Sequence, residues 1–188
     1  VLPVLSYGVS TEHTGFEETI SIPAQSYLKL ILDLLDSVTS DNSLILIVNG
    51  LGGNSNILSV VETEYNYAHD NSKVLLASLY NKDAQKLSEQ LLGECDTHAG
   101  SVESSLVAYY LGLRPLNTQD SQFVKQMRGS LRFFKTKSVN PLGIIKDTKN
   151  LIMDPSRGQA IHEQIVTSIT EEAKEIIAAI NKVLSHGK

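Results

Sequence analysis

The chain has 188 residues, 41% of them apolar and 20% charged, enough to bury a sizeable core. Its net charge of −5 argues against a nucleic-acid surface, which needs clustered Lys and Arg. No apolar run approaches the roughly 20 residues needed to cross a bilayer, and with Cys95 as the single cysteine neither an intrachain disulfide nor a Cys-based zinc site can form.

Val1 to Leu5 reads as a short strand, not as a signal peptide. A cytoplasmic location is the default. Ser6 to Thr19 reads as a polar loop. Pro23 opens a helix to about Val38, with Tyr27, Leu28, Ile31, Leu34, Leu35 and Val38 at helical spacing. Asp41 to Ser43 is a turn. Leu44 to Val48 is aliphatic on both faces, as in the middle of a parallel sheet. Asn49 to Gly53 leaves its carboxyl end, and Asn54 or Ser55 caps the next helix, which carries Ile57, Leu58, Val61 and Tyr65.

Lys73 to Leu79 is the next buried strand. Lys82 to Leu92 is helical, and Gly93 ends it. Asp96 to Ser101 is a loop holding His98. Val102 to Leu111 is a helix with Glu103 in its first turn, closed by Gly112 and Pro115. Asn117 to Pro141 reads as a long connection, and its basic residues from Lys125 to Lys137 as a solvated loop. A last helix runs from about Pro155 to Leu184 with one apolar stripe: Ile161, Ile165, Ile169, Ala173, Ile176, Ile180 and Leu184. Strand–helix alternation with aliphatic strands points to a three-layer α/β/α sandwich with a mainly parallel central sheet, in one domain over 1–188.

Ligands of such sheets bind beyond the carboxyl ends of the strands. The loops at 6–19, 49–54 and 93–101 are therefore expected to converge. Gly50, Gly52 and Gly53 let backbone approach a ligand, although a tight strand-to-helix turn explains them equally well. An imidazole ordinarily titrates near neutrality, so His98 is of the residue type that can move protons at a scissile amide. Glu103 is either a metal ligand or an ordinary helix-start glutamate. Glu12 and His13 are adjacent, so their side chains should diverge. His69, His162 and His186 read as solvated, and Cys95 as a small semi-buried thiol.

Three segments in order carry a resemblance. Tyr7 to His13 followed by Phe16 to Ile22, Asn49 to Asn54, and His98 to Ser105 resemble the "YGxSxEH…FPGTISL", "NGHGGN" and "HAGxxETS" segments of the creatininase (creatinine amidohydrolase) family. Ser156-Arg157-Gly158 resembles its "EKG" helix. The resemblance implies an α/β/α hydrolase fold, a homo-oligomer, and two divalent metals, zinc or manganese, whose bridged water attacks an amide of a small molecule or a modified peptide end. It makes His98 the catalytic proton shuttle and Glu103 the metal ligand. Ser10, Glu12, His13, Asn49, Gly52, Gly53, Asn54 and Asp96 border the substrate.

The departures have a pattern. Leu51 replaces the histidine of "NGHGGN", Glu17-Glu18 replaces the Pro-Gly of "FPGT", and the family's first motif, Glu-x-His followed by Asp, is not in this sequence. Glu103 alone does not make a zinc site. The sequence therefore reads as a family member with a degenerate metal site, weak or inactive alone, or completed by another subunit. The alternative is an active metal-dependent amide hydrolase with a site rebuilt from Glu12, His13, Glu17, Glu18, Asp96, His98 and Glu103.

Overall fold

The computed structural model describes residues 1–40, 43–79, 81–93, 100–119, 124–125, 133–141, 145–146 and 150–186. The chain forms two compact units, Val1–Leu79 with Glu171–Lys188, and Tyr80–Thr170.

The first unit is built on α1 (Ala24–Val38), β1 (Leu44–Asn49), α2 (Ser55–Ala68) and β2 (Lys73–Ser78). β1 and β2 pair in parallel, Leu44 facing Lys73 and Asn49 facing Ser78. Tyr27, Ile31 and Leu35 of α1 recur at helical spacing and are buried against Leu58, Val61 and Tyr65 of α2 and Val74 of β2. Burying one such side chain contributes roughly 1.5–3 kcal/mol, so this face holds the unit together. Leu34 and Val38, expected on the same stripe, are exposed. The rim is polar: the Tyr65 and Thr39 hydroxyls meet, and the His69 ring stacks on Tyr65 at 4.0 Å. His69 thus packs one ring face on Tyr65 while its side chain stays 39% exposed.

Two expectations for this unit change. Val1 to Leu5 forms no strand, Val1, Leu2, Val4 and Leu5 are exposed, and no strand among the described residues pairs with this segment. β1 is not apolar-buried on both faces either. Ile45 and Ile47 pack on the core, whereas Leu46 and Val48 are 42% and 52% exposed.

The second unit contains α3 (Lys82–Leu92), α4 (Ser101–Leu111), β3 (Leu116–Gln119), β4 (Val124–Lys125), α5 (Thr136–Val139), β5 (Ile145–Lys146) and β6 (Asn150–Met153). Asn81 caps α3 by accepting the Ala84 N–H, and Gly93 ends it in the left-handed region at φ 76°. Gly112 ends α4 likewise at φ 62°. β3 pairs antiparallel with β6, and β4 parallel with β5, so the 117–141 connection holds strand at its start. Of the expected mainly parallel sheet, the described residues contain β1–β2 and the short β4–β5 pair. The overall α/β character holds.

α6 (Pro155–His186) begins in this unit and continues into the other. Its stripe is buried at Ile161 and Ile165 only, while Ile176 is exposed. The Leu184 and His186 side chains lie outside the described residues, as does the turn at Asp41-Asn42. His162 lies at the surface, partly exposed, with its Nδ1 2.7 Å from the Tyr110 hydroxyl and its ring beside Tyr109.

Candidate functional site

Two loops of the first unit interlock. One runs from Gly8 through a 3-10 turn at Thr11–His13. The other leaves β1 at Asn49 and enters α2 through a second 3-10 turn at Gly52–Asn54. Asn49 is buried and ties its own loop shut. Its Oδ1 accepts the Leu51 N–H at 3.2 Å, and its Nδ2 donates to the Leu51 carbonyl at 3.0 Å and the Ser55 hydroxyl at 3.2 Å.

Asn54, also buried, was expected to cap α2. It makes no such bond, and its Oδ1 accepts the Val9 N–H at 2.9 Å instead. A long-range bond has taken the side chain that a local cap would use. Gly53 permits the same approach: a Cβ there would sit 2.0 Å from the Val9 carbonyl oxygen, inside any real contact. Gly8 is pressed from the other side, its ideal Cβ 2.6 Å from Asn54 Oδ1 and 2.7 Å from the Leu51 Cδ2. Ser21 completes the clamp by accepting the Ser10 N–H at 2.9 Å, and the Ile22 N–H reaches the Gly8 carbonyl at 2.9 Å. Gly8, Ser21 and Ser55 carried no sequence signal for these roles.

Glu12 and His13 do not diverge. The 3-10 turn is tighter than the extended loop assumed for them, and Glu12 Oε1 lies 3.8 Å from His13 Nε2. The same Oε1 lies 3.9 Å from where a Gly53 Cβ would be. Gly52 has open space around its α-carbon at the start of α2. Backbone N–H groups at such a helix start can donate to a carbonyl or carboxylate oxygen. Of the residues expected to border substrate, Ser10, Glu12, His13, Asn49, Gly52, Gly53 and Asn54 thus fall on one interlocked loop pair.

The other expected residues do not join this description. Asp96 and His98, with Cys95, lie outside the described residues. Glu103 is half-buried in the first turn of α4, in the second unit.

The donors tell against a metal at the loop pair. Glu12 and His13 supply one carboxylate and one imidazole, already paired with each other. Leu51 supplies no lone pair, and its side chain is spent against Gly8. A catalytic zinc takes three protein ligands, so the described loop residues do not fit one. Among the described residues no group of three His, Cys, Asp or Glu could hold a metal ion. Nor is any described helix long and apolar enough to cross a membrane.

The second unit has a different centre. Ser105 on α4 donates to the Ile152 carbonyl at 3.2 Å and accepts the Asp154 N–H at 3.1 Å; Ser101 accepts the Ile152 N–H at 2.9 Å. Gly158 on α6 lets the Ser105 carbonyl approach to 2.0 Å of where a Cβ would be. Arg157 reaches back to the Leu91 carbonyl at 2.6 Å. An open cleft of about 360 Å³ lies between β3, β6 and the first turn of α6, and none of the expected site residues lines it.

A model of the family described as creatininase, creatinine amidohydrolase, matches residues 1–173. The chain is 25% identical over 181 residues to a mycofactocin precursor peptide peptidase of Mycolicibacterium smegmatis, covering 93% of this chain and 66% of that protein. It thus spans just under two thirds of that relative's length. No solved structure matches. The family match covers both units' motifs, from the 8–13 loop to the Arg157-Gly158 turn, and the chain belongs to the creatininase family.

Proposed function

We propose that this chain is a creatininase-family protein that keeps the substrate-facing loops of an amide hydrolase and has lost the metal-holding half of the site. The observation that carries the reading is Leu51. It stands at the centre of Asn49-Gly50-Leu51-Gly52-Gly53-Asn54 with its side chain against Gly8, where a ligand would have to point at a metal. The ligand is a small amide, and turnover by the chain alone is weak or absent. Membership of the family supports one three-layer α/β/α domain working as a homo-oligomer in the cytoplasm, with any missing ligands supplied by another subunit.

Metal content tests this directly. After incubation with zinc or manganese and exhaustive dialysis, the protein should retain no stoichiometric metal by elemental analysis. Stoichiometric retention would overturn the reading. Leu51→His alone should restore neither metal nor activity, because Glu12 and His13 face each other across 3.8 Å and an imidazole at 51 would be a single ligand beside that pair.

The peptidase relative favours a second reading, an active hydrolase of peptide-like amides at a rebuilt zinc or manganese site. On that reading the purified protein cleaves amides, and His98→Ala lowers turnover by roughly 10²-fold or more.

A further inference from the structure

Asn49-Gly50 is the one Asn-Gly pair in the sequence. Glycine hinders attack on a preceding asparagine side chain least, because it has no Cβ. In an open chain the Gly50 nitrogen attacks the Asn49 Cγ. A bond from that nitrogen to Cγ forms, the Cγ–Nδ2 bond breaks, and ammonia leaves with the Gly50 proton. Water then opens the succinimide at either carbonyl, leaving aspartate or isoaspartate at position 49.

The fold holds each group that this reaction has to move. The Asn49 carbonyl accepts the Leu79 N–H at 3.1 Å, which fixes the peptide plane that also carries the Gly50 nitrogen. Nδ2, the leaving group, donates to the Leu51 carbonyl at 3.0 Å and the Ser55 hydroxyl at 3.2 Å, and Oδ1 accepts the Leu51 N–H at 3.2 Å. Asn49 is only 6% exposed, so water is kept from Cγ as well. Ring closure needs the Gly50 nitrogen to turn toward Cγ and the amide to leave these bonds. The β1–α2 loop therefore has to open first.

We propose that Asn49-Gly50 is a deamidation site guarded by its own loop, and that its conversion is a one-way switch of the loop pair. Neither product restores the closed loop. An aspartate at 49 still accepts from the Leu51 N–H and the Ser55 hydroxyl. It has no hydrogen for the Leu51 carbonyl, and it sets a buried carboxylate against that oxygen. An isoaspartate routes the main chain through the side-chain carbon, which lengthens the loop between position 49 and the Asn54–Val9 bond. Either way one opening loosens the hold on the 8–13 loop for good. The inference stands whether or not the loop pair turns over an amide.

Asn71 supplies an internal comparison. It precedes Ser72 and is exposed in the bend before β2. In an open chain the Ser72 side chain slows the same attack relative to Gly50.

Peptide mapping by mass spectrometry tests the proposal, reading at each asparagine the mass gain that replaces NH by O. Incubation is mildly alkaline and a few degrees below the melting temperature, where openings are frequent enough to read. In native buffer Asn71 should convert faster than Asn49, and in denaturing urea the order should reverse. Ser55→Ala removes an exposed hydroxyl that Nδ2 donates to, and should speed native conversion of Asn49 roughly twofold to tenfold, the worth of one hydrogen bond. Gly50→Ala, whose methyl meets the end of the Leu79 side chain at 3.2 Å, should slow conversion in urea. Chains converted in native buffer and separated by charge should lose exchange protection at the Leu51 and Val9 amides while the α2 core keeps its own.

Asn49 converting in native buffer as fast as in urea overturns the guard, as does a native rate unchanged by Ser55→Ala. Full protection of both amides in the converted chains overturns the switch. If Ser55→Ala fails to fold, the native and urea rates of the wild type decide alone.

Discussion

Gly53 and Gly158 face the same demand in different surroundings. At each, a Cβ would meet a backbone carbonyl oxygen at 2.0 Å. At Gly53 the oxygen belongs to Val9, in an irregular loop. At Gly158 it belongs to Ser105, inside α4. A loop can move aside by changing a few dihedrals. A helix carbonyl is fixed by its neighbours on both sides and by the helix's packing on β6. The first close approach therefore shapes a site, and the second fixes a framework.

Substitution at these two positions should separate the two roles, with the framework showing the larger loss. Gly158→Ala should destabilise by about 3 kcal/mol, the upper end of overpacking costs, since α4 cannot shift without losing the Ser101 and Ser105 bonds to β6. Gly53→Ala should cost about 1–2 kcal/mol, because the Val9 loop gives way. Its signature is local: the Val9 amide, held by Asn54, should lose exchange protection while the α2 core keeps its own. Urea melts with amide exchange on both variants check this. Equal losses would mean that the loop pair is as rigid as the helix contact.

The same contrast explains what was legible in the sequence. α1, α2, α3, α4 and the start of α6 were readable because burial at Tyr27, Ile31 and Leu35, or at Leu58, Val61 and Tyr65, follows a local period. β3 was not readable. Its four residues pair with a segment more than thirty positions away, and nothing in Leu116–Gln119 announces that partner. The loop residues were found by resemblance and their bonds were not. Asn54 looked like a cap because capping is the local use of such a side chain, and only the folded chain brings Val9 to it. Glu12 and His13 looked divergent because adjacent residues diverge in regular elements, and a 3-10 turn is a different geometry. Arg157-Gly158 was legible as a motif, yet the reason for its glycine lies in Ser105, far away in sequence.

A smaller effect separates the framework's start from the loops. Asp154 caps α6: its Oδ1 accepts the Ser156 N–H at 2.9 Å and the Ser156 hydroxyl at 2.7 Å, with Pro155 in the first helical position. The Ser156 hydroxyl is the main cause holding this carboxyl below its usual value. Partial burial opposes it, and the Arg157 and Ser156 N–H groups and the Arg157 guanidinium add to it. A carboxyl lowered in the folded state stabilises above its unfolded value of about 3.9, and that contribution is lost as pH falls through the folded value. Asp154→Ala should cost about 1 kcal/mol at neutral pH. The gap between variant and wild type should close as pH drops below about 3.9. Paired urea melts at the two pH values measure it, and a gap that persists in acid would remove the carboxylate's charge from the account.

Glu18 gives the smallest effect and the opposite sign. It is the one described non-glycine residue at positive φ, 66°, and its side chain is exposed. An L side chain in the left-handed region costs roughly 1 kcal/mol. In the family's "FPGT", which Phe16 to Thr19 resembles, this position is a glycine, and the backbone at Glu18 has a conformation that glycine adopts without cost. Glu18→Gly relieves that cost but loosens the unfolded chain, which takes part of the gain back. A net stabilisation of about 0.5 kcal/mol is expected, read as a rise of about 1–2 °C in melting temperature. At Gly53 and Gly158 a side chain must displace a neighbouring carbonyl that fills its place. Glu18 tolerates one because only its own backbone objects. If Glu18→Gly lowers the melting temperature, the carboxylate holds the loop in a way that outweighs the strain, and the turn at 16–19 is part of the clamp on Gly8 and Ser10.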